Sequence, residues 1–556
     1  MSAIDVSVQG AAAAAVAAEV PPLVEARFAS RLFAQDHTLW GQDAEEEAAK
    51  RLSWVGLAHA SRPLVARVEQ LRERLTAEGV SRIVLCGMGG SSLAPEVICA
   101  TNQVPIVILD SSDPDVVRGA LTDLGITAVV VSSKSGSTVE TDSQRRAFEQ
   151  AFRDAGIDPA HRIIVVTDPG SPLDGQAREA GYEVINADPD VGGRFSALTA
   201  FGLVPSGLAG ADIGRLLDEA ADATDRLAAD TSDNPGLVLG AAMAGTTPLR
   251  DKLVLVADGT RIVGLPAWAE QLVAESTGKD GTGILPIVGD GDAPARLYPD
   301  ATVVRLVPYT GRHVAPAHPD SVAAAAPGPA DIVPDLPSVV EVAGTLGGQL
   351  LLWEVATSVA GRLLGINPFD QPDVESAKSA ARELMSGSTG AADEPAFVDG
   401  FVEVRAMGGD WLGDARTLPQ AVTHLLRQLD QDAGYVAVMA YLDRERDADL
   451  EKVGRELFDV LGRPVTFGWG PRFLHSTGQY HKGGPATGIY LQITATPEQD
   501  LAVPGRDFTF GEFIAAQAGG DAQVLADHGR PVLRLHLTNS ERGLRQVEAA
   551  LQEPRL

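Results

Sequence analysis

The sequence predicts an α/β protein built from doubly wound parallel sheets with helices on both faces. Short apolar runs that end in Gly, Ser, Asp or Pro alternate with helical stretches from residue 82 onward. The same alternation returns in two later parts of the chain, so more than one sheet is expected. A length of 556 residues also exceeds what one ordinary hydrophobic core accommodates.

Composition excludes several classes of protein. Hydrophobic residues make up 45% and charged residues 22%, as in globular proteins. The formal net charge of −30 repels phosphate backbones and anionic lipids, so neither a nucleic-acid nor a membrane partner is expected. Two cysteines, Cys86 and Cys99, are expected to be reduced core residues. With no apolar run near bilayer length and no basic residue before the alanine-rich N-terminal stretch, the cytoplasm is the expected compartment.

Four regions are predicted along the chain. Residues 1–80 are expected to be a helical preface, because their apolar residues recur at spacings of three and four. Residues 81–240 and 241–388 are each expected to form a domain with a parallel sheet, and residues 389–556 an α/β extension. The predicted strands are "RIVLCG", "VPIVIL", "ITAVVV", "HRIIVVT" and "GYEVIN" in the first domain, "KLVLVA", "ATVVRL" and "SVVEVAG" in the second, and "GYVAVMAYL", "PVTFGWG", "TGIYLQITA" and "PVLRLHL" in the extension. The Pro- and Ala-rich residues 314–336 are expected to be a loop, and residues 385–395 a junction.

A cluster of hydroxyl side chains lies where one strand is expected to become a helix. "SSKSGST", residues 132–138, follows an apolar run and precedes a helical pattern. A helix N-terminus holds an anion through unpaired N–H groups, and Ser and Thr hydroxyls add donors. Gly136 would let the backbone approach such a ligand closely. The alternative interpretation is an ordinary cap and turn, which the same residues favour.

A second glycine- and serine-rich loop strengthens the anion-binding interpretation. "LCGMGGSSLAPEV", residues 85–97, also connects a predicted strand to a helix of the same sheet. Its spacing fits neither the dinucleotide fingerprint nor the P-loop, so no nucleotide is expected. Because ligands bind beyond the carboxyl ends of parallel strands, the two loops are expected to face one crevice.

Five segments occur in the order typical of one enzyme family. They are "GMGGSSLAPE", "SSKSGSTVET", "GGRFS" at 192–196, "QLVAESTGKDG" at 271–281 and "GINPFDQPDVESAK" at 365–378. With them the sequence resembles the sugar-isomerase fold and, within it, the glucose-6-phosphate isomerase family. The resemblance implies two αβα sugar-isomerase units. The C-terminal "GPRFLHSTGQYHKGGP", 470–485, is similar to the end of the isomerase found fused to transaldolase in some bacteria, so the resemblance is to a divergent branch.

The resemblance implies roles for individual residues. Glu275 matches the family's catalytic base, Arg194 the arginine that stabilises an enediolate, and Lys378 the ring-opening lysine. We assign the ring-opening histidine to His481, with His475 as the competitor. Outside the family context, each of these side chains would be interpreted as structural or exposed.

The remaining implied contacts are with substrate. Ser133, Ser135 and Thr138 match the family's phosphate-binding loop, and Lys134 adds charge there or points to solvent. Gly90, Ser91 and Gln271 match positions that touch the sugar. On a helix, Gln271 and Glu275 at i and i+4 would share a face.

The predicted function is therefore reversible isomerisation of glucose 6-phosphate and fructose 6-phosphate, with no cofactor and no metal. One alternative is a broader isomerase that also accepts mannose 6-phosphate. The other is a phosphosugar-binding regulator without catalytic activity. By analogy with the family a homodimer is expected, with the histidine coming from either chain.

Overall fold

The computed structural model describes residues 4–289, 299–310, 337–372 and 394–552. Lys378 and the loop expected at 314–336 lie outside these ranges, as does most of the predicted junction at 385–395. The described chain is an α/β structure with three sheets and flanking helices, which confirms the predicted fold class. None of the described helices combines the length and apolar content that crossing a bilayer requires.

The N-terminal segment is mainly helical, but it also contains a strand that was not predicted. It begins with strand β1 (Ile4–Gly10), in which Ile4, Val6 and Val8 alternate with polar residues, and β1 pairs antiparallel with a strand of the second sheet. The alternation is brief and runs directly into an alanine-rich helix, which dominates the local pattern. The helices that follow are α1 (Ala11–Glu25), α2 (Phe28–Phe33), α3 (Glu45–Ala48), α4 (Leu57–Ala60) and α5 (Pro63–Ala77).

The first sheet consists of parallel strands, all at predicted positions. They are β2 (Arg82–Gly87), β3 (Val107–Leu109), β4 (Thr127–Ser132), β5 (Ile163–Thr167) and β6 (Glu183–Asn186). The strand order is β3-β2-β4-β5-β6. β3 lies on one side of β2 and the later strands lie on the other, so the order of strands reverses between β2 and β4. In open parallel sheets the ligand crevice lies at this reversal, beyond the carboxyl ends. The helices of this sheet are α6 (Leu93–Thr101), α7 (Pro114–Ala120), α8 (Val139–Asp154) and α9 (Pro172–Glu179).

The second sheet follows three connecting helices, α10 (Ala200–Ala209), α11 (Ile213–Leu227) and α12 (Pro235–Ala244). Its strands are β7 (Lys252–Ala257), β8 (Leu285–Gly289), β9 (Ala301–Leu306) and β10 (Ser338–Gly344) in the order β1-β10-β9-β7-β8. All of these strands are parallel except β1. β8 was not predicted, because its five residues follow a Gly- and Asp-rich turn. Its helices are α13 (Leu265–Thr277) and α14 (Leu346–Leu364).

The third sheet contains the four predicted strands and two that the sequence did not reveal. Its strands are β11 (Phe397–Asp399), β12 (Val402–Met407), β13 (Tyr435–Tyr441), β14 (Val465–Trp469), β15 (Gly488–Ala495) and β16 (Val532–Leu537). The order is β11-β12-β16-β15-β13-β14. The antiparallel pairings are those of the unpredicted strands, β11 with β12 and β12 with β16. Its helices are α15 (Leu418–Leu426), α16 (Glu451–Leu461), α17 (Gly478–Gly483), α18 (Phe510–Asp527) and α19 (Ser540–Gln552).

The third sheet is docked on both earlier ones. The half-buried Arg472, between β14 and α17, forms ion pairs with Glu96 on α6 and, at 2.9 Å, with Asp110 after β3. Phe473, next along the chain, shares a buried apolar cluster with Ala274 on α13. These contacts hold the connection between β14 and β15 against the carboxyl edge of the first sheet and against the helix that carries Glu275.

Candidate active site

The two loops singled out in the sequence lie side by side. One follows β2 and leads into α6, and the other follows β4 and leads into α8. β2 and β4 are neighbouring parallel strands, and their last residues, Gly87 and Ser132, are paired. Both loops therefore open on the same crevice, at the point where the order of strands reverses.

The hydroxyl loop, residues 133–138, is an array of donors at a helix N-terminus. The Ser133 hydroxyl donates to Thr138 Oγ1 over 3.1 Å, and the hydroxyls of Ser135 and Ser137 are 2.9 Å apart. Thr138 is the N-cap of α8, but its side chain makes no capping bond to that helix. The amides of the first turn and the neighbouring hydroxyls thus form a site suited to a phosphate group.

Gly136 is required by the shape of this loop. Its φ is +67°, and a Cβ at this position would lie 2.8 Å from the backbone nitrogen of Leu173. The ammonium of Lys134, for which the sequence left two orientations open, donates to Asp168 Oδ2 at 2.6 Å and to the carbonyl of Pro189 at 3.1 Å. Its charge is therefore directed to the neighbouring β5 and β6 loops, away from open solvent.

The glycines of the first loop allow two segments to touch. A Cβ on Gly90 would lie 2.0 Å from the carbonyl oxygen of Gly193, in the "GGRFS" segment. Ser91 follows Gly90 in the same short turn and is half-buried. A Cβ on Gly89 would lie 2.8 Å from Gln271 Nε2 and 2.9 Å from His475 Cβ. Larger residues here would push apart the segments that enclose the crevice.

Glu275 lies in the last turn of α13, with a relative exposure of 5%. Gln271, one turn earlier, donates from Nε2 to Glu275 Oε2 over 3.1 Å, so the two side chains share a helix face as predicted. The same amide nitrogen donates to the carbonyl of His475 over 2.6 Å. Gln271 therefore connects the carboxylate to the segment from the third sheet.

Arg194 is buried beside this carboxylate. Its Nη1 lies 3.7 Å from Glu275 Oε1, and its Nε donates to Ser276 Oγ over 2.7 Å. Nη2 donates to the carbonyls of Pro368 and Asp370 over 2.7 and 3.0 Å. Burial lowers the pKa of Arg194, while the negative charge of Glu275 acts in the opposite direction. A guanidinium this tightly held presents a fixed positive charge next to the candidate base.

The structure brings His475, and not the preferred His481, to these residues. His475 Nε2 lies 3.2 Å from Glu140 Oε1 in the first turn of α8, and its backbone carbonyl accepts the bond from Gln271. His475 thus touches the first loop, the helix of the hydroxyl loop and the helix of Glu275. This position is the one expected of a proton-transferring group in the crevice.

His481 instead belongs to the core of the third sheet. Its ring stacks on that of Tyr435 with centroids 5.7 Å apart, and Nδ1 is 2.9 Å from the Tyr435 hydroxyl. Burial lowers the pKa of His481 to about 3, so it is neutral at physiological pH. The structure thus places the competitor, His475, at the crevice and His481 in a buried cluster, and the apolar surroundings of the later histidine could not be read from the motif.

Two further residues at the site were not identified from the sequence. Lys279 lies four residues beyond Glu275, and burial together with the nearby Arg194 lowers its pKa to about 8. Glu140, in the segment "SSKSGSTVET", contacts His475. Lys279 lies in "QLVAESTGKDG", the segment that contains Glu275, and this position is the signal that could have identified it. Lys378 lies outside the described residues.

No protein-family model matches the sequence. A probable glucose-6-phosphate isomerase from Haloarcula marismortui is 32% identical over 57% of this chain and 80% of its own length. A glucose-6-phosphate isomerase from Rubrobacter xylanophilus is 30% identical over 61% of this chain and 93% of its own length. Among solved structures, a hypothetical protein from Thermus thermophilus has a TM-score of 0.54 at 24% identity, covering 68% of this chain and 100% of that one, which shows the fold alone.

Parallel sheets with a hydroxyl-rich anion loop at the switch point, and a buried carboxylate beside an arginine, define a protein of the sugar-isomerase class. The similarity to the two named isomerases then decides the family. The chain belongs to the glucose-6-phosphate isomerase family.

Proposed function

We propose that the protein interconverts glucose 6-phosphate and fructose 6-phosphate through a cis-enediolate intermediate. The observation that carries the proposal is the buried carboxylate of Glu275, 3.7 Å from the Arg194 guanidinium. Moving a carbonyl from C1 to C2 needs one base that transfers a proton between adjacent carbons, and a positive charge near the developing oxyanion. Both groups lie at the crevice that the hydroxyl loop borders, and the two named relatives carry the same activity in their names.

The phosphate of the substrate is proposed to bind at the hydroxyl loop. Ser133, Ser135 and Thr138 supply hydroxyl donors, and the first-turn amides of α8 supply N–H groups and the positive end of the helix dipole. Gly90 and Ser91 border the crevice from the adjacent loop. With the phosphate anchored there, the sugar chain extends toward α13.

Proton transfer is assigned to Glu275. In the forward direction its carboxylate removes the C2 proton of the open-chain aldose, which leaves an enediolate with its negative charge on O1. The proton of the C2 hydroxyl then passes to O1, and Glu275 returns its proton to C1, so that the carbonyl is left at C2. Arg194 stabilises the negative oxygen formed in between. Because hydrogen bonds to Ser276 and to the carbonyls of Pro368 and Asp370 already hold its guanidinium, it needs no reorganisation. Gln271 orients the carboxylate through the bond to Oε2.

Ring opening is assigned to His475 with Lys378. A closed sugar must lose a proton from its anomeric hydroxyl and gain one on the ring oxygen, and imidazole changes charge near neutral pH. The bond between His475 Nε2 and Glu140 orients the ring. Since His475 comes from the same chain as Glu275, the proposed site does not depend on a second subunit for its histidine.

The test of the proposed reaction uses the full chain dialysed against EDTA. We expect it to convert each of the two 6-phosphates into the other without added metal or nucleotide, at rates measured by quenching the reaction and separating the two sugar phosphates by chromatography. Mannose 6-phosphate is supplied in parallel, and we expect no comparable turnover. Binding of glucose 6-phosphate without conversion would contradict the proposal and favour the regulator. A place in glycolysis and gluconeogenesis, in the cytoplasm, follows from the proposed reaction.

Loss of the loop hydroxyls is expected to act mainly on KM. Because hydrogen bonds to a charged group contribute about 1.5–3 kcal/mol each, Ser133→Ala combined with Thr138→Ala should raise KM for glucose 6-phosphate at least about tenfold. The value of kcat should change much less, since these groups contact the phosphate equally in substrate and transition state. Steady-state kinetics with exposed Thr122→Ala as the control measures both. A fall in kcat at unchanged KM would contradict the binding of the phosphate at this loop.

A further inference from the structure

Lys279 has an unusual environment for a lysine. Its side chain is 2% exposed, and its ammonium donates to three oxygens of one short segment. The acceptors are the carbonyl of Asn367 at 2.7 Å, the carbonyl of Asp370 at 2.7 Å and Asp370 Oδ1 at 2.6 Å. All three hydrogens of the ammonium are therefore used by a single turn of the chain.

Arg194 binds the same turn from the other side. Besides the carbonyls of Pro368 and Asp370, it donates from Nη1 to Gln371 Oε1 over 2.8 Å. The carbonyl of Asp370 thus accepts from both Lys279 and Arg194. One of the acceptors that orient the Arg194 guanidinium, the carbonyl of Asp370, is therefore also held by the ammonium of Lys279, which binds the carbonyl of Asn367 at the start of the same turn.

We propose that Lys279 and Asp370 form a positioning pair, which fixes the turn of residues 367–371 so that Arg194 stays aligned with Glu275. The inference rests on the proposed isomerase function, to which it adds two residues. Removing the ammonium leaves the carbonyl of Asn367 and Asp370 Oδ1 without this donor, while the carbonyl of Asp370 keeps its bond from Arg194. The turn must then move for the freed groups to reach other donors. A displacement of the guanidinium by about 1 Å is enough to lower turnover by about a hundredfold.

The charge on Lys279 makes this arrangement sensitive to pH. Burial and the positive charge of Arg194 lower its pKa to about 8, whereas the negative charges of Asp370 and Glu275 act in the opposite direction. The ammonium is present below this value and loses one of its three donors above it. Activity is therefore expected to fall on the alkaline side as Lys279 loses its proton.

Asp370→Asn tests the pair without changing the size of either side chain. Loss of the carboxylate removes a charge that favours the ammonium, so the pKa of Lys279 falls. We expect kcat to drop about tenfold and KM for glucose 6-phosphate to change less than about threefold. We also expect the alkaline limb of the pH profile of kcat/KM to move to lower pH by up to about one unit. A residue that only supports the fold would not move that limb.

The matched control is Asp280→Asn, next to Lys279 in the chain. Asp280 is exposed and has a φ of +55°, a conformation that asparagine also tolerates, so this change removes a nearby charge without touching the turn. Identical kcat and pH profiles for the two variants, with wild-type protein active, would overturn the inference and leave the proposed function intact. Inactive wild-type protein would instead refute the proposed function.

Lys279→Met provides a second measurement. We expect a fall in kcat of about a hundredfold, larger than that caused by Asp370→Asn, because all three donors are lost. Binding of inorganic phosphate, measured by calorimetry, should match the wild type, since the hydroxyl loop lies on a different sheet. Intact phosphate binding together with wild-type kcat would overturn the inference.

Discussion

Glu275→Gln is expected to lower kcat by at least about a thousandfold, the upper part of the range attributed to one general acid or base. The amide keeps the shape of the side chain and can still bond to Gln271, so the crevice should keep its form. What it loses is the ability to accept the C2 proton. Binding of the substrate, followed by calorimetry or by protection against thermal unfolding, should remain within about threefold of wild type.

Glu270→Gln is the control for this change, because it lies on the same helix. Burial raises the pKa of Glu270 to about 8, although Arg472 acts in the opposite direction. Its carboxyl is therefore largely neutral at pH 7, and an amide replaces it without altering charge. We expect nearly wild-type kcat for this variant. Turnover by Glu275→Gln comparable to that of Glu270→Gln would show that another group transfers the proton.

The arrangement of the two loops could be predicted from the sequence alone. The runs that became β2 and β4 are continuous and apolar, as expected of strands buried on both faces. Parallel strands bring their carboxyl ends to one edge of a sheet, so loops that follow neighbouring strands must meet. The position of Gln271 and Glu275 on one helix face followed from helical periodicity in the same way.

Pairings between distant segments could not be predicted in this way. β1 joins β10 across more than three hundred residues, and the antiparallel β11 and β12 precede the part of the third sheet that was recognised. Each strand is short, and its partner is not encoded in its own pattern. Local periodicity therefore identified every strand of the first sheet and missed β1, β8, β11 and β12 in the other two.

The contacts of the site likewise divide into those that a sequence motif indicates and those that it does not. Glu275 and Arg194 stand in recognisable motifs, but two of the four groups that accept hydrogen bonds from Arg194 are backbone carbonyls. A carbonyl belongs to every residue type, so no residue pattern identifies it. The same reason explains why Lys279, whose acceptors include two such carbonyls, was not recognised from its sequence.

His475→Gln is expected to lower kcat/KM for glucose 6-phosphate by about a hundredfold, within the range for one proton-transferring group. Glutamine places a polar atom close to the position of Nε2, so the contact with Glu140 is kept while the imidazole ring is lost. Since the ring form must open before Glu275 acts, steady-state assays starting from cyclic substrate should show the loss. Thermal unfolding should be close to wild type, because His475 lies at the crevice and not in the tyrosine cluster.

His481→Asn should give the opposite pattern. Asparagine retains a polar atom near Nδ1 that can bond to the Tyr435 hydroxyl, but the stacked ring is lost from a fully buried cluster. We expect kcat/KM within about threefold of wild type and a midpoint of thermal unfolding lowered by a few degrees, which corresponds to about 1–2 kcal/mol. A folded but inactive His481→Asn protein beside an active His475→Gln protein would return the ring-opening role to His481. The decision between the two histidines thus depends on which variant loses turnover and which loses stability. Loss of turnover follows from removing a proton-transferring group at the crevice, whereas loss of stability follows from removing packing in the core of the third sheet.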